Sequence, residues 1–118
     1  MTAYAVAHLR PADRLVEDVF VYIEKIQSTL DPFGGRFLVH GADAEVREGE
    51  WPGALVIIGF PGMEQARAWY DSPAYQELLP LRTDHIAGDV LLVEGVAPGY
   101  DAAGTAAAYR AAAASAAQ

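Results

Sequence analysis

The chain has 118 residues, 53% of them hydrophobic, a net charge of −8 and no cysteine, which suits one domain with its own core and excludes disulfides and thiolate metal sites. Its one lysine and seven scattered arginines form no basic cluster, so we expect no nucleic-acid partner. No stretch approaches the roughly 20 apolar residues of a membrane span, and no basic leader precedes the first apolar run, so we expect a cytoplasmic protein without membrane contact.

The chain begins with a predicted strand and an amphipathic helix. Residues 3–9 alternate in polarity, which is typical of a strand. Asp13 is a candidate N-cap, and from Leu15 to Leu30 the apolar residues recur at helical spacing. We expect this helix to end before Pro32, because proline disfavours helical geometry in the residue that precedes it.

Two further strands are predicted in the middle of the chain. Gly34-Gly35 marks a turn into a strand from Arg36 to His40. The polar segment that follows leaves two alternatives for residues 44–48, an extension of this strand or an edge loop. Residues 54–60, ALVIIGF, are apolar almost throughout, which is typical of a strand buried on both faces.

The next segment carries two helices and a last strand. Met63, Ala66, Trp69 and Tyr70 lie at helical spacing. Ser72 as N-cap and Pro73 in the first turn predict a short third helix that reaches about Leu81. Residues 90–93, VLLV, predict the fourth strand.

The order strand, helix, strand, strand, helix, strand predicts an α+β fold of the ferredoxin-like type. Right-handed crossovers give an antiparallel sheet in the order 4-1-3-2, with both helices on one face. We assign residues 1–97 to this domain and residues 98–118 to an alanine-rich C-terminal tail, which either docks through Tyr109 or frays.

Alternation divides the strand residues between two faces of the sheet. The residues predicted to lie under the helices are Ala5, Ala7, Leu9, Phe37, Val39, Leu55, Ile57, Leu91 and Val93. The residues predicted for the open face, the one that no helix covers, are Tyr4, Val6, His8, Arg36, Leu38, His40, Val56, Ile58, Phe60, Val90, Leu92 and Glu94. Because this second set is too apolar to remain in water, we predict a homodimer in which two sheets enclose a cavity.

The polar groups of the predicted cavity are His8, Arg36, His40 and Glu94. We expect His8 and His40 near one end, and Tyr4, Arg36, Phe60 and Glu94 near the other. An apolar cavity with a few convergent polar groups is the usual form of a small-molecule site.

The stretches FGGRFLVHG, AWYDSPAY and VLLVEGV, with the segment between them, resemble the family known as domain of unknown function 1330. The resemblance covers residues 3–96 and implies membership of the dimeric α/β-barrel superfamily, which includes cofactor-independent monooxygenases, lactone isomerases and polyketide cyclases. It carries over by position to Arg36, Trp69, Tyr70, Tyr75 and Arg82. The family itself implies no particular reaction.

Each candidate residue has a functional and a structural interpretation. Arg36 binds a ligand carboxylate or enolate, or it pairs with Glu94 or an acid of the partner chain. His40 and His8 act as a general base, or they are interface histidines whose ring nitrogens are hydrogen-bonded to the backbone or to tyrosine. Two histidines on non-adjacent strands, about 9–10 Å apart, form no metal site without an acidic cluster, so we predict no metal and no cofactor.

Two side-chain groups outside the strands are also open to two interpretations. The aromatic residues Trp69, Tyr70 and Tyr75 line the ligand cavity or belong to the core. Arg82, Asp84 and His85 flank the cavity entrance or lie in a solvated loop.

Two functions follow from these observations. One is a small enzyme, an isomerase, cyclase or cofactor-independent monooxygenase acting on a hydrophobic or aromatic metabolite. The other is a binding or stress-associated homodimer without catalytic activity. An open cavity that reaches His8, Arg36 and His40 would favour the enzyme.

Overall fold

The structure is a computed structural model that describes residues 1–116. Four antiparallel strands form one sheet in the order β2-β3-β1-β4, with helices on one face, so the predicted ferredoxin-like α+β fold is confirmed. The elements are β1 (Ala3–Pro11), α1 (Glu17–Leu30), β2 (Arg36–His40), β3 (Ala54–Phe60), α2 (Met63–Asp71), α3 (Pro73–Leu78), α4 (Pro80–Thr83), β4 (Ile86–Glu94) and α5 (Ala102–Ala116). No helix within residues 1–116 is long and apolar enough to cross a membrane.

The first helix begins later than its sequence predicts. Val16, not Asp13, precedes α1, and its carbonyl accepts the first helical hydrogen bonds from Val19 and Phe20. The predicted end is confirmed, because α1 stops at Leu30 and Pro32 lies in a short 3-10 turn.

The predicted cap of the third helix is confirmed. The backbone N–H of Tyr75 donates to Ser72 Oγ at 3.3 Å, and Pro73 occupies the first turn, where a missing N–H costs nothing. The helix ends at Leu78, and α4 provides the next turn. This break matters because α4 carries Arg82 to the interior of the domain.

The two glycines before β2 meet two different requirements. Gly34 has φ of +70°, a conformation that side chains rarely adopt. A Cβ on Gly35 would lie 2.7 Å from Phe60 Cε1 and 2.9 Å from Leu30 Cδ2. The first glycine therefore makes the turn, and the second lets the chain pass close to the core.

The hydrophobic core lies between the sheet and helices α1 to α3. Its largest fully buried side chains are Trp69, Tyr75 and Leu30. The sheet contributes small residues from β1 and larger ones from β3, namely Ala3, Ala5, Ile58 and Phe60.

The predicted faces of β3 and β4 were wrong. Ala5 pairs with Ile58 of β3 and with Leu92 of β4, and all three therefore face the helices. The residues wrongly predicted on the open face are Val56, Ile58, Phe60, Val90, Leu92 and Glu94, the last of which pairs with the buried Ala3. The residues that lie on the open face instead are Leu55, Ile57, Leu91 and Val93. The runs ALVIIGF and VLLV are apolar on both faces, and the two carboxylates of β4, Asp89 and Glu94, lie on opposite faces, so polarity did not distinguish the two faces.

A β-bulge in β2 overturns the predicted positions of Val39 and His40. Phe37 pairs with Ile58 on the helix side, whereas Val39 pairs with Ile57 and His40 with Val56. The extra residue at Leu38 shifts the alternation by one position, so His40 faces the helices and Val39 the open face. Arg36 and Leu38 were correctly predicted, since Arg36 pairs with Gly59 and Leu38 lies over it.

The alanine-rich tail forms a helix that does not dock on the domain. Helix α5 has no buried residue, and Tyr109, the predicted docking residue, is 74% exposed. The predicted tail runs to residue 118, and its last two residues lie outside the described residues. The alternative strand extension at residues 44–48 is an irregular loop.

Candidate functional site

An apolar cavity of about 90 Å³ lies inside the domain, between the sheet and helix α1. Its floor consists of β-strand residues that face the helices, Ala5, Ala7, Leu9, Val56, Ile58 and Val90. Val19, Ile23 and Ile26 of α1 form its roof. Ile23 is 42% exposed and His40 is exposed, so the cavity reaches the protein surface at its mouth.

A pair of tyrosines forms the polar part of the cavity wall. The phenol oxygens of Tyr22 on α1 and Tyr75 on α3 lie 2.8 Å apart, within hydrogen-bonding distance. The ring centroids are 6.2 Å apart in an edge-to-face arrangement, and both residues are buried. One hydroxyl donates to the other, so the pair still presents one O–H hydrogen and several lone pairs.

Arg82 places a positive charge next to this pair. It is only 5% exposed, and its Cζ lies 5.5 Å from the centroid of the Tyr22 ring, within cation–π distance. Within residues 1–116, no carboxylate forms an ion pair with it. Burial lowers the pKa of the guanidinium, but its interactions with Tyr75 and Tyr22 together outweigh this effect and hold the pKa above its ordinary value. A buried arginine is normally paired with an acid.

Tyr22 is a neutral phenol at physiological pH. Burial raises its pKa far above the ordinary value of 10.0, and Tyr75 raises it further, against the opposing effect of Arg82. Tyr22 therefore supplies hydrogen bonds rather than a negative charge, and it provides no counter-charge for Arg82.

An aromatic cluster closes the inner side of the cavity. Trp69 lies 4.2 Å from Tyr75 and 5.4 Å from Phe60 between ring centroids. Its Nε1 donates a hydrogen bond of 3.0 Å to Thr29 Oγ1, which fixes the indole against α1. Trp69 and Tyr75 belong to the core, as one interpretation predicted, and they line this cavity beneath the helices rather than a cavity on the open face. Tyr70, 5.5 Å from Tyr75, packs behind the cluster and is not among the residues that line the cavity.

His40 lines the cavity at its mouth, on the helix side of the sheet. Its ring stacks on Phe37 with centroids 4.3 Å apart and an interplanar angle of 11°. The bulge in β2 thus places His40 in the same cavity as Arg82, away from Arg36.

His8 lies on the open face, far from this arrangement. Its ring stacks on Trp51 with centroids 4.3 Å apart, and its Nε2 is hydrogen-bonded to the carbonyl of Pro52. Arg10 lies 3.4 Å from its other ring nitrogen and pairs with Asp89. His8 and His40 are near the same end of the sheet, as predicted, but on opposite faces.

Arg36 and Tyr4 lie together at the other end of the open face, as predicted. They line a pocket of about 310 Å³ whose lining also includes Phe60. Phe60 is only 2% exposed and belongs to the core, while Glu94 is exposed. Within the described part of the chain, the predicted Arg36–Glu94 ion pair is not present.

Sequence reasoning did not place Tyr22 in the cavity, and it did not bring Arg82 to the polar wall of the cavity. Tyr22 was counted among the apolar residues of α1, although a tyrosine buried in such a stripe needs a hydroxyl partner. For Arg82 both interpretations, cavity entrance and solvated loop, were wrong, because the short helix α4 turns it inward. Within residues 1–116, no three His, Asp or Glu side chains lie close enough to hold a metal ion.

One protein family matches this sequence. The sequence model of the family described as domain of unknown function (DUF1330) matches residues 2–96, which is the whole folded domain without the tail. Among proteins of curated function, none matches the sequence significantly.

Solved structures share the fold at low sequence identity. A protein of unknown function from Rhodopseudomonas palustris aligns with a TM-score of 0.65 and 14% identity, over 82% of this chain and 84% of that one. SnoaB, a cofactor-independent oxygenase from Streptomyces nogalater, aligns with a TM-score of 0.56 and 11% identity, over 85% and 98%. A NIPSNAP domain protein from Burkholderia xenovorans aligns with a TM-score of 0.52 and 12% identity, over 86% and 100%. Such likeness concerns the fold alone.

Proposed function

Because this chain belongs to the DUF1330 family, which is named for no activity, we propose its function from its own cavity: it binds a small hydrophobic or aromatic metabolite between the sheet and helix α1. The protein acts in the cytoplasm as a homodimer. The observation that carries the proposal is the cavity itself, apolar along its length and polar at Tyr22, Tyr75 and Arg82. This combination is the usual form of a small-molecule site.

The cavity limits the size of the ligand. Its volume is about 90 Å³, whereas an engineered cavity of about 150 Å³ takes up benzene. We therefore expect a molecule with one ring or a short chain, accommodated by movement of the exposed Ile23 at the mouth. This is a smaller ligand than a cavity between two sheets would hold.

Ligand binding is tested with phenol and toluene. Trp69 lines the cavity, so in the Trp51→Phe background its fluorescence reports binding directly. We expect saturable changes that disappear in Ala7→Leu, which fills the cavity, and persist in Ala68→Leu, the same change at an exposed position of α2. Equal responses of the two variants would contradict binding in this cavity.

The position of His40 supports a second candidate function, catalysis of proton transfer. Its imidazole lines the cavity, and histidine is the side chain that most often transfers protons in enzymes. Isomerases and cyclases share a step in which a proton is removed from carbon. A cofactor-independent oxygenase removes such a proton and then adds dioxygen to that carbon. SnoaB, an oxygenase of the same fold, illustrates that such chemistry can be housed in this fold.

Proton transfer is tested with phenylacetone in D₂O, by following the loss of its α-proton NMR signal. We expect exchange above the buffer rate in the wild type and a loss of it in His40→Gln, because His40 accepts the proton and returns a deuteron. His85→Gln is the matched control, since His85 pairs with Asp18 on the surface. Exchange at the buffer rate in the wild type would favour binding without catalysis.

The homodimer is supported by the open face of the sheet. Leu91, Leu38 and Val93 are 54%, 46% and 45% exposed on it, and Val6, Leu55 and Ile57 lie half-buried between them. A second copy presents the same apolar face, so a two-fold contact covers both at once.

Light scattering after size-exclusion chromatography tests this assembly. We expect a dimer at micromolar concentration, dissociated by Leu91→Lys because a charge would be buried in the apolar contact. Val96→Lys is the control, since Val96 is 64% exposed beyond the end of β4. A wild-type monomer would overturn the proposal.

A further inference from the structure

The guanidinium of Arg82 is the most unusual group in the domain. It is 5% exposed, it lines the apolar cavity, and within residues 1–116 no acid pairs with it. Removing a charge from water costs several kcal/mol unless a counter-charge or strong hydrogen bonds replace the water. The ring of Tyr22 and the two phenol oxygens stabilise the guanidinium, but none of these groups carries a negative charge.

We propose that Arg82 binds the acidic group of the cavity ligand, so that the ligands of this site are small monoanionic acids, carboxylates above all, with an apolar body of about one ring. This inference rests on the proposed function for the apolar body and adds the chemical class. The planar guanidinium matches a carboxylate through two parallel N–H donors. The Tyr22–Tyr75 pair donates its remaining O–H hydrogen to the same carboxylate.

The geometry also determines the orientation of the ligand. Arg82 and the tyrosines lie at the end of the cavity formed by α1, α3 and α4, whereas the exposed His40 lies at the mouth on β2. The carboxylate therefore lies inside, and the apolar ring fills the space above Ala7 and Val56. Arg36, on the opposite face of the sheet, takes no part in binding the acid.

The test compares acids with neutral molecules of the same shape. Benzoate is measured against benzamide, and sodium formate against sodium chloride at equal ionic strength, by thermal shift and by Trp69 fluorescence in Trp51→Phe. We expect benzoate to bind about tenfold or more tightly than benzamide, because hydrogen bonds to a charged group contribute about 1.5–3 kcal/mol. In Arg82→Met we expect this preference to disappear, in Arg82→Lys to return in part, and in the exposed Arg67→Met to remain.

Ligand-free stability gives a second, independent readout. Arg82→Met removes a buried charge that has no counter-ion, and it also removes the contacts with the tyrosines. If Arg82 serves to bind an acid, we expect these effects to offset each other and the melting temperature to change little. A clearly lower melting temperature would assign Arg82 a structural role with the tyrosines and overturn the inference.

The outcomes separate this inference from the proposed function. Binding of benzamide and benzoate with equal affinity overturns the role of Arg82 and leaves the cavity as a binding site. An Arg82-dependent response to formate without binding of either aromatic compound supports the anion site and overturns the aromatic ligand. No response to formate or benzoate overturns the inference.

Discussion

The hydroxyl groups of Tyr22 and Tyr75 meet at 2.8 Å inside the domain, one from α1 and the other from α3. This contact joins helices α1 and α3, and it forms the polar wall of the cavity next to Arg82. The pair therefore contributes both to the stability of the fold and to the chemistry of the site.

Removal of either hydroxyl should destabilise the protein by a similar amount. A hydrogen bond of this kind contributes about 0.5–1.5 kcal/mol, so we expect Tyr22→Phe and Tyr75→Phe each to lower the free energy of unfolding by about 1 kcal/mol. The double variant should cost less than the sum, because the bond between the two hydroxyls is lost only once. Urea denaturation of the four proteins measures the coupling, and additivity within about 0.3 kcal/mol would contradict it.

Stability should fall in alkaline solution because of Tyr22. Burial, assisted by Tyr75, raises the pKa of Tyr22 in the folded protein above the ordinary value of 10.0. Above about pH 10 the unfolded chain loses a proton that the native state keeps, so the native state binds more protons and the free energy of unfolding decreases as pH rises. Below about pH 10, Tyr22 is protonated in both the folded and the unfolded state, so its full contribution to the free energy of unfolding is present.

Urea midpoints between pH 8 and pH 11 measure this dependence. We expect a shallower decrease above pH 10 in Tyr22→Phe than in the wild type. Tyr109→Phe serves as the control, because Tyr109 is 74% exposed. Parallel curves for wild type and Tyr22→Phe would show that Tyr22 does not carry the effect.

Gly35 should not tolerate a side chain. A Cβ would lie within 3 Å of Phe60 and Leu30, both in the core. We expect Gly35→Ala to destabilise by about 1–3 kcal/mol, as overpacking usually does. Gly104→Ala adds the same methyl group in α5 without a neighbour within 4 Å and should increase helicity. Thermal unfolding followed by circular dichroism measures both, and equal stability of the two variants would contradict the contact.

The alanine-rich tail should be dispensable for folding. Helix α5 buries none of its residues, so removal of residues 98–118 should leave the unfolding midpoint of the domain unchanged while reducing the helical signal. A lower midpoint would show that the tail docks in solution, and the proposed boundary at residue 97 would then be wrong.

The prediction of the site from the sequence failed where alternation carries no information. In β1 the alternating polarity was sufficient to place Ala5 under the helices and His8 outside, as observed. In β3 the run ALVIIGF is apolar on both faces, and its orientation depends on which residues pair with Ala5 across the sheet. His40 left the open face for a different reason, the bulge in β2 at Leu38.

The sequence by itself determined the main elements, their order and the ferredoxin-like sheet. Periodicity, proline, glycine and the Ser72 cap act through interactions between residues that are close in the sequence, so they do not depend on the rest of the fold. Only the tertiary structure decided which face of the sheet holds the cavity, since a one-residue bulge at Leu38 reverses His40. It also decided that Tyr22, Tyr75 and Arg82 meet, because these residues come from three separate helices. Their proximity depends on how the helices pack against each other, and no spacing along the chain encodes it.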